Sequence, residues 1–81
     1  MTTVTLYGKS GCCLCDEAKE VLAAVRAERP FELEQVDVSL DPVLHRLYGE
    51  RIPVVAIDGE ELFEYHVDGP ELRRRLDTLG P

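Results

Sequence analysis

All three cysteines of this 81-residue chain lie within four consecutive positions, at Cys12, Cys13 and Cys15. A small secreted protein that depends on disulfides spreads its cysteines along the sequence, because each bridge stabilises the fold by closing a loop. Clustered cysteines close no long loop, and an odd number leaves at least one unpaired within the chain. The chain must therefore fold on an ordinary apolar core, and we interpret the thiols as groups kept for chemistry.

Charge and composition exclude several classes of function. Sixteen Asp and Glu oppose 9 Lys and Arg, so the net charge is −7, which is unlike the basic surface of a nucleic-acid-binding protein. The hydrophobic and charged fractions, 44% and 31%, are typical of a globular protein. No segment approaches the roughly 20 apolar residues of a membrane span, and the first residues do not resemble a signal peptide. We expect one domain over residues 1–81, monomeric and cytoplasmic, that binds neither nucleic acid nor membranes.

The first half of the chain predicts a strand, a helix and a second strand. Residues 3–7 and 31–38 are rich in β-branched and other apolar residues, as strands are. Between them, apolar residues recur every three or four positions from Leu14 onward, which predicts a helix that begins at the cysteines. The alternation of the second strand slips between Leu33 and Val36, and we attribute this slip to a β-bulge.

The second half predicts a short helix and then a hairpin. Asp41 followed by Pro42 is a favourable helix start, because the carboxylate caps backbone N–H groups and proline suits the first helical position. The strands predicted at residues 53–57 and 62–65 are separated by an Asp-Gly pair at 58–59, a dipeptide typical of tight hairpin turns. This arrangement adds an antiparallel pair of strands to the sheet.

A third helix is predicted at the end of the chain. Asp68 is a capping residue, Glu71 follows it by three positions as in a capping box, and Leu72, Leu76 and Leu79 form an apolar stripe. The element order is then β-α-β-α-β-β-α, in which the first βαβ unit should be a right-handed parallel crossover. We expect an α/β fold with a four-stranded mixed sheet and helices on both faces.

The pair Cys12 and Cys15 is the strongest chemical signal. At a helix N-terminus, unpaired backbone N–H groups and the helix dipole stabilise a thiolate, which can lower a cysteine pKa from about 8.5 to roughly 3.5–7.5. We therefore expect Cys12 to be the attacking thiol, with Lys9 adding positive charge nearby. Cys15 lies one turn further along, close enough to form a disulfide with Cys12 and to resolve a mixed disulfide.

Other roles for the cysteines stay open at this stage. Cys13 can pair with Cys15 or with a second chain, and we take it as a spectator or accessory thiol. One Cys-x-x-Cys pair supplies two of the four ligands of a structural zinc site, and His45 and His66 are isolated, so we assign no metal ligands. The alternative functions are a metal-binding or iron–sulfur carrier, with a cluster shared between two chains, and an interaction module with inactive cysteines.

Ile52 and Pro53 form the second element of the predicted site. A proline is tolerated at the start of a strand, and its peptide bond can be cis or trans. In a fold of this order, the turn before the third strand faces the start of the first helix. It then places the backbone of Ile52 beside Cys12, where it can bind an extended substrate.

Two segments together carry a resemblance to a known family. Tyr7-Gly8-Lys9-Ser10-Gly11-Cys12-Cys13-Leu14-Cys15-Asp16-Glu17-Ala18 and Arg51-Ile52-Pro53-Val54 resemble the glutaredoxins of the thioredoxin superfamily. They are most similar to short bacterial glutaredoxin-like proteins with a Cys-x-Leu-Cys-(Asp/Glu)-x-Ala segment. The resemblance covers essentially the whole chain and implies a minimal thioredoxin fold. It also implies thiol–disulfide exchange, with Cys12 as the nucleophile, Cys15 as the resolving cysteine and Pro53 as the cis-proline.

The resemblance further implies how a substrate is held. Lys9, Ile52 and Asp68 match, wholly or in part, positions that help glutaredoxins to hold glutathione. The segment that contains Asp68 lacks the family's paired glycines, and Cys13-Leu14 replaces Pro-Tyr between the cysteines, which weakens glutathione as the inferred partner. We expect an oxidoreductase that reduces protein or low-molecular-weight disulfides. It would use a separate electron donor, such as glutathione or another small thiol, and no tightly bound cofactor, since no glycine-rich nucleotide loop is present.

Overall fold

The computed structural model describes residues 2–9 and 11–78. Its elements follow the predicted β-α-β-α-β-β-α order, with one 3-10 turn added before the second helix. No helix within these residues is both long enough and apolar enough to cross a membrane. The elements are β1 (Thr3–Gly8), α1 (Cys13–Glu28), β2 (Glu32–Asp37), the 3-10 turn (Val38–Leu40), α2 (Pro42–Tyr48), β3 (Val54–Ile57), β4 (Glu60–Glu64) and α3 (Gly69–Thr78).

The four strands form one mixed sheet in the order β2-β1-β3-β4. β1 pairs with β2 in parallel and with β3 in antiparallel orientation, and β4 completes the sheet as the antiparallel partner of β3. The two central strands are the most buried, and all four residues of β3 are buried from solvent. Because the end of β1 lies beside the start of β3, the residues that follow β1 and those that precede β3 meet at the same end of these two central strands. The predicted mixed sheet is confirmed.

Helices cover both faces of the sheet, as predicted. Side chains alternate between faces along a strand, so that Leu6 and Tyr7 of β1 point to opposite sides. α1 and α3 pack on the face that carries Leu6, whereas on the other face the ring of Tyr48 in α2 stacks on Tyr7 with centroids 4.4 Å apart. The larger core, on the first face, contains Val4, Leu6, Ala18, Leu22, Val25, Phe31, Val55, Ile57, Leu72 and Leu76.

The β-bulge expected in the second strand is not present. The register between β1 and β2 is continuous from Thr3, opposite Glu32, to the last pair of the two strands. Leu33 and Val36 lie three positions apart and therefore face opposite sides of a sheet that is covered on both sides, which accounts for the slipped alternation. The register shift lies instead between Val55 and Ala56, where β3 pairs with β4.

The predicted hairpin turn is confirmed. Asp58 and Gly59 both have positive φ, 49° and 89°, the combination that a two-residue turn requires to match the twist of its strands. The carboxylate of Asp58 also accepts the N–H of Thr3 at 3.0 Å, which fastens the tip of the hairpin to β1.

Aspartates cap the second and third helices. The carboxylate of Asp41 accepts the N–H groups of Val43 and Leu44, and α2 follows with Pro42 in its first turn. Asp68 accepts the N–H of Glu71 at 3.1 Å, as predicted.

The reciprocal half of the capping box is not seen at the start of α3. The carboxylate of Glu71 bonds Arg74 and Arg75 on the following turn, because two guanidinium groups compete for it. Leu72 and Leu76 of the predicted stripe are buried, whereas Leu79 lies outside the described residues.

Replacing Asp41 with alanine should destabilise the fold, because α2 has only 7 residues and loses its two capping bonds. We expect Asp41→Ala to lower the free energy of unfolding by about 1 kcal/mol, measured by urea denaturation. Asp41→Asn keeps an oxygen acceptor and should remain within about 0.5 kcal/mol of the parent. If Asp41→Ala has the same free energy of unfolding as the parent, the cap contributes nothing to stability.

Candidate active site

Cys12 is the N-cap residue of α1. Its backbone is extended, with φ −91° and ψ 115°, and the helix begins at Cys13. The sulfur of Cys12 accepts the backbone N–H of Cys15 at 3.4 Å, in the position that a serine or aspartate oxygen occupies in an ordinary cap. The sequence prediction that the helix begins at the cysteines is therefore confirmed, and the cap itself is a thiol.

The three thiols differ in their exposure to solvent. None is in a disulfide: Cys12 is half-buried, Cys13 is exposed, and Cys15 is only 1% exposed. Cys15 packs with Val38 and Ile52, and Cys12 lies against this same small cluster. Of this pair, Cys12 is accessible to a reagent in solution and Cys15 is not, and access is one of the factors that set the rate of thiol–disulfide exchange.

The pKa of Cys12 lies below its ordinary value. Partial burial opposes ionisation, but hydrogen bonds from the Cys15 thiol and from the backbone N–H groups of Cys15 and Leu14 outweigh it. The positive charge of Lys9 acts in the same direction. These groups stabilise the thiolate, which is the nucleophilic form of cysteine.

The pKa of Cys15 is raised to about 11, chiefly because its burial penalises the charged form. The hydrogen bond that it donates to Cys12 raises this pKa further, since the bond holds the proton on Cys15. The N–H of Lys9 and the charge of Lys19 oppose the effect without cancelling it. The pKa of Cys12 is thus lowered while that of Cys15 is raised, so that when one thiol of the pair ionises, Cys12 carries the negative charge and Cys15 keeps its proton.

Gly8 allows Cys15 to pack against the end of β1. A Cβ atom at Gly8 would lie 2.9 Å from the Cys15 sulfur, closer than real Cβ contacts allow. Within the sequence Gly8 stands out only as part of the motif, because nothing in a single sequence shows which side chain lies over a glycine. Gly8 is therefore a packing requirement of the site that the sequence did not reveal.

The peptide bond between Ile52 and Pro53 is cis, which the residues alone had left open. Ile52 is 7% exposed and belongs to the cluster that contains Cys15, with Cys12 packed against it. The carbonyl of Pro53 accepts the N–H of Tyr65 at 2.9 Å, which joins this turn to the segment that follows β4. The structure therefore brings Ile52 and Pro53 to the cysteine pair.

The other two predicted substrate-binding residues are placed differently. Lys9 is exposed, and it lines a cavity of about 210 Å³ that also borders Cys15, Lys19 and Asp37. Asp68 is also exposed, but its contacts are with the first turn of α3 rather than with the cysteines. His45 and His66 are exposed as well, and no three His, Cys, Asp or Glu side chains converge among the described residues in a way that could hold a metal ion.

Arg51 organises the turn that leads into Pro53. Its guanidinium bonds the carboxylates of Glu61 and Glu64 at 3.0 and 2.7 Å and donates twice to the carbonyl of Leu47 at the end of α2. It also lies over the ring of Tyr48, 5.2 Å from the centroid. This network joins α2, the cis-proline turn and β4, and sequence reasoning missed it because its members are spread over 18 positions.

These features define a protein of the thioredoxin fold with a dithiol at the start of its first helix. Chloroplastic thioredoxin z, a solved structure, superposes with a TM-score of 0.75 over 98% of this chain and 78% of its own, at 13% identity, a similarity that shows the fold alone. The sequence profile of the glutaredoxin-like domain family (DUF836) matches residues 3–77. The chain belongs to this family.

Two relatives are similar over nearly the whole chain. An uncharacterized protein from Mycobacterium tuberculosis is 35% identical over 84 residues, which cover 95% of this chain and 87% of the relative. A structural-genomics target protein from X. campestris, solved by X-ray crystallography, is 38% identical. It superposes with a TM-score of 0.78, over 93% of this chain and 96% of its own.

The difference in acidity predicts selective alkylation of Cys12. In a Cys13→Ser background, iodoacetamide should modify Cys12 with a pH midpoint below the ordinary cysteine value, whereas Cys15 should react only at a higher pH. Lys9→Ala should move the Cys12 midpoint upward, because it removes a charge that stabilises the thiolate. Mass spectrometry of the alkylated protein against pH measures both, and equal midpoints for the two thiols would contradict the assignment.

Adding a methyl group at Gly8 should displace Cys15. Gly8 lies in β1 and is paired with Asp37 of β2, so the backbone is held and the side chain of Cys15 must move. We expect Gly8→Ala to cost about 1–3 kcal/mol of unfolding free energy and to slow closure of the Cys12–Cys15 disulfide. Gly69→Ala is the control, because Gly69 lies in the first turn of α3 and a Cβ there makes only ordinary contacts, the nearest 3.5 Å away at Val21. Closure at the parental rate in Gly8→Ala would refute the packing role.

Proposed function

We propose that this protein is a thiol–disulfide oxidoreductase that reduces protein or low-molecular-weight disulfides through Cys12 and Cys15. The observation that carries this proposal is the contrast between the two thiols. Cys12 is half-buried at a helix start and has a lowered pKa, while Cys15, one turn away, is buried and has a raised one. Membership of the glutaredoxin-like family supports the same chemistry.

The first step is attack by the Cys12 thiolate on one sulfur of the substrate disulfide. A bond forms between the Cys12 sulfur and that sulfur, and the disulfide breaks, releasing the other sulfur as a thiolate that takes a proton from solvent. The lowered pKa of Cys12 increases the fraction of this thiol that is in the nucleophilic thiolate form. The backbone of Ile52, which precedes the cis bond and belongs to the cluster against which Cys12 packs, can align the substrate with Cys12.

The second step is attack by Cys15 on the Cys12 sulfur of the mixed disulfide. Cys15 loses its proton, the Cys12–Cys15 disulfide forms, and the remaining substrate sulfur leaves as a thiol after protonation. The protein dithiol is thereby oxidised by two electrons, and the substrate disulfide is reduced to two thiols. The charge of the Cys12 thiolate and its hydrogen bond with Cys15 both raise the pKa of Cys15. Formation of the mixed disulfide removes this thiolate. Cys15 therefore loses its proton more easily at the step in which it must attack.

A separate thiol or dithiol reductant must return the protein to its reduced form. We propose that this donor is glutathione or another small thiol that is not tightly bound, and that the protein acts as a monomer in the cytoplasm. Lys9 is exposed beside the site, where it can attract an anionic donor. Asp68 is already engaged in capping α3, which leaves it less suited to hold a donor.

Serine variants separate the roles of the three cysteines. Cys12→Ser should abolish reduction of insulin or of hydroxyethyl disulfide, because it removes the nucleophile. Cys15→Ser should instead accumulate a mixed disulfide at Cys12, detected by mass spectrometry. Cys13→Ser is the matched control, and we expect it to retain activity within about twofold, since Cys13 is exposed and outside the pair. Full activity of Cys12→Ser would overturn the proposed function.

A further inference from the structure

Tyr65 has an unusual backbone conformation next to the cysteine pair. Its φ is +67°, a left-handed conformation that glycine adopts freely and that a bulky residue adopts only at a cost of about 1 kcal/mol or more. Its N–H bonds the carbonyl of Pro53, and the next N–H, of His66, bonds the carbonyl of Glu64 at 2.7 Å. These bonds hold the strained conformation in place. The ring itself remains 45% exposed, so burial of the side chain does not account for a tyrosine at this position.

The ring of Tyr65 forms one wall of a groove beside the start of α1. Leu14, only two residues after Cys12, also lines the groove, and Val21 and Val67 continue the apolar lining. The groove has a volume of about 90 Å³, suited to one aliphatic side chain rather than to a whole tripeptide. The N–H of Tyr65 bonds the carbonyl of Pro53, which links the groove to the cis-proline turn, and Ile52 of that turn belongs to the cluster against which Cys12 packs.

The charges around the groove disfavour an anionic occupant. Glu17 and the exposed His66 line it, and no lysine or arginine does so among the described residues. Glutathione carries two carboxylates, which the Glu17 side chain and the net charge of −7 would repel. An extended polypeptide instead presents a neutral backbone and can place an apolar side chain in the groove, where burial of that side chain adds affinity.

We propose that Tyr65 determines the substrate class of this site, by forming a groove that takes the apolar side chain beside the cysteine of an extended polypeptide disulfide. Tyr65 then acts as a specificity residue, and the chemical steps remain those of Cys12 and Cys15. The site should favour such polypeptide disulfides over glutathione disulfide. This inference rests on the proposed disulfide-reducing function.

Single-turnover kinetics of the reduced protein test the proposal without any electron donor. Four disulfides serve as oxidants: a short peptide dimer with leucine beside its cysteine, the same dimer with serine there, glutathione disulfide, and hydroxyethyl disulfide. We expect the parent to react at least about tenfold faster with the leucine dimer than with the serine dimer or glutathione disulfide. Tyr65→Gly should lower the rate with the leucine dimer about tenfold and leave hydroxyethyl disulfide within about twofold.

A stability measurement on Tyr65→Gly and three further variants make the kinetic result interpretable. Glycine suits φ +67°, so Tyr65→Gly should unfold at an equal or higher urea concentration than the parent, and lost activity cannot be assigned to a lost fold. Tyr65→Phe keeps the ring and should behave as the parent. Asp58→Gly relieves the other positive-φ residue, at the far end of the hairpin, and should not change the peptide preference. Glu17→Gln should raise the rate with glutathione disulfide.

The outcomes distinguish this inference from the function on which it rests. A parent that reduces hydroxyethyl disulfide but does not prefer the leucine dimer overturns the role of Tyr65 alone. So does a Tyr65→Gly variant that keeps the preference. A parent that reduces none of the four disulfides overturns the proposed function, and this inference with it.

Discussion

The site depends on a helix cap made by a thiol. Cys12 has the extended backbone of an N-cap residue, and its sulfur accepts the N–H of Cys15. The bond that begins α1 is therefore also a bond that stabilises the Cys12 thiolate, and forming the helix helps to lower the pKa of this thiol. Because the cap fixes the first helical turn, it also places Cys15 below Cys12 and over Gly8, where Cys15 becomes buried.

The difference in pKa between Cys12 and Cys15 is created by tertiary packing at one end of a small sheet. Both residues have the same side chain and follow the same strand, yet burial raises the pKa of one while N–H groups lower that of the other. The small cluster around Cys15 supplies this burial with Val38 from the 3-10 turn and Ile52 from the turn before β3. Chain segments far apart in sequence thus set the difference in acidity between two neighbouring thiols.

The surroundings of the pair are shaped by two turns that precede and follow the hairpin. Arg51 ties the first of these turns to the end of α2 and to β4, and it balances the carboxylates of Glu61 and Glu64 near the site. Tyr65 ties the second turn to Pro53. Both contacts bring the segments that flank the hairpin to the cis-proline turn.

The sequence by itself determined the element order, the caps at Asp41 and Asp68, and the place of the cysteines at a helix start. Those features follow from local rules, since capping, turn chemistry and apolar periodicity act between residues close in sequence. The expected bulge between Leu33 and Val36 was wrong because a sheet buried on both faces permits apolar residues on either side. Only the tertiary structure decided the burial of Cys15 over Gly8, the network of Arg51 and the groove beside Tyr65. Each of these joins segments that no local pattern connects, and so their geometry exists only once the sheet has brought them together.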